Sequence, residues 1–340
     1  LQINNCQGIS MDIKNVSRDI DDFFVDDNDP KGSGFQVKLC ADLIVYYDGN
    51  VYPLKSNRDG ALDFYHNALE ILKQELRYVL VDGNGRYKKI TPKTYEMLPY
   101  WASDDCPTRL AMGVHLDGGD TPESRSDHSF YFKEGWGGCL RMIVPVEFIL
   151  DNPKGFVELA VKMCQRLRFE TGQGGFSLHL HHDYGTNGIH IRKLSQRFLG
   201  LDIGSPFYWS DTLIQGIKTV NWLTLVGDRL LKKIGGRDGL RERLLTDIPV
   251  HDLDHGVIIQ AGPKPTLGDV NAGDDISYYR RVSRVLEPIR VPPEILSRLN
   301  DIGGRNNTRR WMARFDNNPK LWMDRFIPIN AKYGDDENDD

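Results

Sequence analysis

Residues 175–185 read GFSLHLHHDYG, and how this stretch folds decides how the rest is read. As a strand it alternates: Phe176, Leu178 and Leu180 point one way with His182, while Ser177, His179, His181 and Asp183 point the other. A half-buried strand produces that alternation. It follows the strongest amphipathic helix of the chain, PKGFVELAVKMCQRL (153–167), which gathers Phe156, Leu159, Ala160, Met163, Cys164 and Leu167 on one side. Asp151 or Asn152 caps this helix, with Pro153 in its first turn.

Upstream, QVKLCADLIVYYDG (36–49) reads as a strand, and ALDFYHNALEILKQEL (61–76) as a helix with Leu62, Tyr65, Leu69 and Leu72 at three- and four-residue steps. YVLVDGNGRYKKIT reads as a hairpin turning at Asp82, Gly83, Asn84 and Gly85. Further strands are predicted over 108–117, 129–134 and 139–149. The glycines of KEGWGGC and ETGQGGF read as turns, since neither stretch has the Lys-Ser/Thr pair or the strand-to-helix setting of a phosphate cradle. Beyond 186 the pattern becomes mostly helical. IKTVNWLTLVGDRLL is expected to be a core helix whose Asn221 needs a buried partner, and VHDLDHG a solvated loop. Strands and helices interleave without regular alternation. The fold class expected is α+β, with a mixed or largely antiparallel sheet flanked by helices and a more helical C-terminal half.

Residues 1–34 carry seven aspartates against three basic residues and read as an acidic flexible arm. Residues 35–330 are expected to form a single α+β domain, with a subdomain junction near 186 left open, and 331–340 an acidic disordered tail. A net charge of −5 over 340 residues argues against direct nucleic-acid binding, which needs a basic face. Five cysteines without a CxxC pair do not make a disulfide framework; Cys40, Cys139 and Cys164 sit in apolar runs as core thiols. With no apolar run of membrane-spanning length and no leader-like start, the expectation is a cytoplasmic protein, monomer or homodimer.

Two imidazoles at i and i+2 on one strand face are a common way to offer a metal two ligands, and HLHHD spells His-x-His-x-Asp. His179, His181 and Asp183 are therefore metal-ligand candidates for a hydrolase. His115 and Asp117 of GVHLDGG join them if the two strands pair. Against this, Tyr184 stands where the metallo-β-lactamase-like spelling has another histidine, and the remaining candidates, His251 and His255, lie in one short cluster. The reading favoured is a polar strand face with no metal and no cofactor. No G-x-S-x-G elbow and no activated cysteine is visible. Arg305, Arg309, Arg310, Trp311 and Arg314 mix arginine with an aromatic and are read as a solvated face or a partner for the acidic tail.

The segments LDIGSPFYWSDTLIQGIKTVNWLTLVGDRLLKKIGG (201–236), GVIIQAGPKPTLGDVN (256–271) and YYRRVSRVLEPIR (278–290) resemble the type VI secretion immunity family, TsiV or TsiT-like. The likeness is strongest over 201–290 and extends from about 35 to 330. The resemblance implies a non-catalytic bacterial protein that binds and neutralises a toxic effector encoded nearby, for some members a nuclease. It carries over no active-site residue. A nuclease holds phosphates on a basic face, so its inhibitor is expected to present carboxylates. Asp252 and Asp254 supply one acidic group, Asp269, Asp274 and Asp275 a second, and Asp117 and Asp120 a third. An adaptor within the secretion apparatus is a further alternative.

Overall fold

In the computed structural model, the residues described are 37–81, 86–106, 112–122, 124–180, 188–203, 206–244, 246–292 and 310–316, with Ile13, Val16 and Ile295. The acidic arm apart from Ile13 and Val16, the turn 82–85, His181, Asp183, Arg305, Arg309 and the acidic tail lie outside them.

The apolar run KLCADLIVYYD makes β1 (Lys38–Asp48), the centre of the sheet. It pairs antiparallel with β6 (Gly137–Val144) on one side and β7 (Thr171–His179) on the other. The remaining strands are β2 (Tyr78–Val81), β3 (Lys88–Lys89), β4 (Met112–Asp117), β5 (Ser129–Glu134), β8 (Leu223–Gly227), β9 (Val250–Leu253) and β10 (Gly256–Gln260). All ten join one antiparallel sheet in the order β3-β2-β4-β5-β6-β1-β7-β8-β10-β9. Strands from both sides of residue 186 thus share a single sheet.

Along each central strand one set of side chains is apolar. Leu43, Val45, Phe130, Phe132, Leu140, Met142, Phe176 and Leu178 are buried, each worth roughly 1.5–3 kcal/mol of transfer free energy. Helices α1 (Arg58–Leu72) and α4 (Pro153–Cys164) pack together over this face, with Phe64 and Tyr65 of α1 against Phe130 at centroid distances of 6.4 and 5.2 Å. The expected cap of α4 is present: the Asn152 side chain accepts from the Gly155 N–H at 3.0 Å. The shorter helices are α2 (Met97–Trp101), α3 (Val146–Asp151), α5 (Gly188–Arg197), α6 (Pro206–Leu213), α7 (Asp228–Leu231), α8 (Gly236–Arg243) and α9 (Ser277–Leu286).

The other face is polar and buried as well. Arg141 donates from Nε to Asp42 at 2.8 Å and from its terminal nitrogen to Ser177 Oγ at 2.9 Å, tying three central strands together. One end of this face is covered by α6, where Lys133 Nζ reaches Ser210 Oγ at 2.8 Å and Thr171 Oγ1 donates to the Leu213 carbonyl at 2.7 Å.

Four local expectations are overturned. The strand predicted over 139–149 stops at Val144, because Pro145 cannot continue the ladder and instead opens α3. The glycines of ETGQGGF are not a turn; they lie in β7, where chain packs closely on both sides. The expected core helix over IKTVNWLTLVGDRLL is the strand β8 followed by the single-turn helix α7. A short apolar run fits either period, and pairing with β7 and β10 decides for the strand. Residues 250–253, expected to be loop, form β9 on the edge beside β10.

Candidate functional site

His115 and Asp117 share a face of β4, as the two-residue period requires, and His179 ends β7. Their strands do not pair: β5, β6 and β1 lie between them. Four flat strand spacings would separate them by roughly 19 Å. The rings of His115 and His179 are nevertheless 5.3 Å apart, so the sheet curls strongly and brings opposite corners of its polar face together. One ligand atom from each of His115, Asp117 and His179 falls within 4.8 Å of the others.

The cluster is held by groups no short motif announces. Arg125, from the β4–β5 connection, donates to Asp117 Oδ2 at 3.0 Å and to the Tyr87 hydroxyl at 2.9 Å. Tyr87 stands 2.7 Å from His115 Nδ1, and His115 Nε2 stands 2.7 Å from Ser129 Oγ, which donates to the Leu116 carbonyl at 2.9 Å. A carbonyl can only accept, so the Ser129 hydroxyl proton goes to Leu116, and His115 donates to Ser129 from Nε2. Burial pushes the Tyr87 phenol up to about 12, which keeps its proton in place. His179 Nδ1 donates to the Ser126 carbonyl at 2.6 Å, leaving Nε2 3.7 Å from Asp117 Oδ2. Asp117 Oδ1 accepts from the Gly119 N–H at 2.8 Å.

Edges of 3.5 and 3.7 Å from Asp117 Oδ2 to the two Nε2 atoms are of the size a small tetrahedral ion spans. The same atoms already have partners: an ion here would take Nε2 of His115 from Ser129 and share Asp117 Oδ2 with the Arg125 guanidinium. His115, Asp117 and His179 are 6%, 1% and 3% exposed. The arrangement acts as a closed polar brace across the curled sheet, with its carboxylate neutralised by Arg125.

The acidic candidates disperse. Asp117 is buried and cannot meet a partner's surface, because Arg125 holds it in the polar face. Asp252 sits on β9 and is bridged by Arg241 and Arg237. Asp254 accepts from Gln165 at 2.6 Å, Asp269 is paired with Arg197 at 2.8 Å, and Asp120 with Arg77. Asp274 accepts from Thr266 Oγ1 and the Asp269 N–H, and Asp275 from the Ser277 N–H. The reading of the C-terminal arginines as a solvated face fails at its centre. Arg314 and Trp311 are each 2% exposed, and Arg314 donates to the Leu199 carbonyl and to Thr219.

Sequence reasoning also missed Trp136, which it passed over as part of a turn. Trp136 is 72% exposed at the β5–β6 turn. Its glycine neighbours were the available signal: a tryptophan inside a tight turn between two strands has no core face to point to.

Fold and site together define an α+β protein whose titratable cluster is buried. The family profile TsiV, described as type VI immunity for VRR-NUC, matches residues 65–315, and the chain belongs to this family. Among solved structures, the Pseudomonas aeruginosa T6SS protein PA0821 matches with a TM-score of 0.68 at 22% identity, covering 85% of this chain and 88% of that one; the likeness is one of fold. No curated protein sequence matches the chain.

Proposed function

We propose that this chain binds a VRR-NUC toxin, a nuclease by its name, and neutralises it by stoichiometric contact in the cytoplasm of the cell that makes both. The match to the type VI immunity family over 65–315 carries this reading. Two observations support a binder over an enzyme. The one His/Asp cluster found among the described residues is buried and its polar atoms are engaged in the polar face, which offers a substrate no approach. The surface carboxylates Asp120, Asp252, Asp254, Asp274 and Asp275 give the exterior an acidic contribution suited to a basic phosphate-binding face, though arginines offset part of it. No metal or cofactor enters the proposal, and its partner is expected from an adjoining reading frame. No helix among the described residues is long and apolar enough to cross a membrane.

The test is a titration of the adjoining VRR-NUC protein's nuclease activity with this chain. Inhibition should rise linearly and break at one equivalent. Full inhibition at a small fraction of an equivalent would identify an enzyme, and undiminished nuclease activity in excess chain would remove the immunity reading.

A further inference from the structure

Trp101, Trp222 and Trp311 are buried, whereas Trp136 stands at the tip of the β5–β6 turn with 72% of its surface exposed. A single exposed apolar side chain is ordinary. This one differs in how firmly its backbone is held. The Gly49 N–H donates to the Trp136 carbonyl at 2.9 Å, joining the turn after β1 to the turn before β6. The two turns are so close that a Cβ on Gly49 would fall 1.8 Å from the Gly135 carbonyl oxygen, and Gly135 itself has φ of 155°. Gly49 accepts no side chain unless the Gly135 carbonyl moves. Glu134 braces the same turn from below, accepting from the Leu54 N–H at 3.0 Å and the Tyr47 hydroxyl at 2.8 Å. On the far side Asp211 accepts from the Gly137 N–H at 2.9 Å.

The turn therefore presents its indole on a preorganised platform, and ordering it on contact costs little entropy. Val51, on the adjoining turn, is 51% exposed as well. Two carboxylates lie at the rim. The Asp211 side chain is 63% exposed, and Asp48 faces Gly137 across the β1–β6 ladder. Lys133, its side chain only 15% exposed, is turned in to Ser210 and stands 3.8 Å from Asp211, and Arg229, bonded to Glu170, acts on Asp48. A rigidly held tryptophan flanked by two carboxylates matches the composition of interface hot spots, and the exposed Asp211 is opposite in charge to a phosphate-binding face.

We infer that Trp136, with Val51 beside it and Asp48 and Asp211 at its rim, is the anchor through which this chain docks on the basic face of its nuclease toxin. The inference rests on the immunity reading above. Trp136 supplies the slow-dissociating contact, and the carboxylates steer the approach.

The experiment measures association and dissociation of the full chain with a catalytically silenced VRR-NUC protein from the adjoining reading frame. Melting temperature and oligomeric state are followed in parallel. Trp136→Ala should weaken affinity about thirtyfold or more, chiefly through faster dissociation, with an unchanged melting temperature. Asp211→Asn keeps an acceptor for the Gly137 N–H, and should slow association severalfold at low salt while flattening its salt dependence. Ile295→Ala, at an exposed residue of the C-terminal segment, should bind as the wild type does. Wild-type binding that survives Trp136→Ala within twofold overturns the docking site and leaves the immunity reading standing. So does a change of oligomeric state in that variant without loss of toxin affinity, which would seat a second copy of the chain on this turn. A wild-type chain that does not bind the toxin at all overturns both.

Discussion

At the scale of single residues, Asp117 is the group on which the polar face turns. Burial raises its carboxyl from 3.8 to about 6, against the opposing pull of Arg125 and the Gly119 N–H. The folded chain thus holds this proton more tightly than the unfolded chain does. Stability from the group is largest below the unfolded value and falls as pH rises through the window from 3.8 to about 6. Asp117→Asn removes that slope while leaving His115, His179 and Arg125 in place. The difference in unfolding free energy between wild type and variant should shrink by on the order of 3 kcal/mol from the bottom to the top of the window. Denaturant melts of the two proteins at pH 4, 5 and 6.5 check this, and parallel curves would show that Asp117 does not titrate there.

Among elements, β7 shows what the sequence carries and what it hides. The alternation of Phe176 and Leu178 against Ser177 and His179 was legible and assigns the faces correctly, with Ser177 and His179 bonded on the polar side. The preceding glycines were misread because glycine marks turns locally, while here it answers to a neighbouring strand. A Cβ on Gly172 would come 2.5 Å from the Ile44 carbonyl oxygen. Gly172→Ala should accordingly cost about 1–3 kcal/mol of stability, read as a lower denaturant midpoint, and an unchanged midpoint would mean the ladder relaxes freely. The strand β8 was misread for a related reason: LTLV has no period of its own, and only its pairing partners select a strand. Where a cap or a long amphipathic face is written locally, as at Asn152 and along α4, prediction and structure agree.

On the scale of the whole molecule, the α+β class and the antiparallel sheet were legible from the order of elements, and the family from the long segments between 201 and 290. The meeting of His115, Asp117 and His179 was not. It depends on the curl accumulated over four strand spacings, a global property that no local window contains. The partners that close the cluster, Arg125, Tyr87 and Ser129, come from a connection, a hairpin and a strand that carry no motif. The acidic loops were legible as composition, but the arginines that neutralise several of them approach from elsewhere in the chain.

The outermost strand β3 is two residues long, and both are exposed lysines. It ends the strand order of the described sheet, and a border strand is a template on which another chain could add. Lys88 and Lys89 make that addition unfavourable, since a second copy approaching the same edge would set like charges against each other. The opposite end is guarded differently, by Asp252 of β9 and the arginines Arg237 and Arg241 that bridge it. Replacing both lysines by valine should leave the melting temperature within about 2 °C of the wild type, as expected for surface changes. It should nonetheless raise light scattering during storage at high concentration. Two charges at the border of a wide sheet set like against like wherever a second copy approaches that edge.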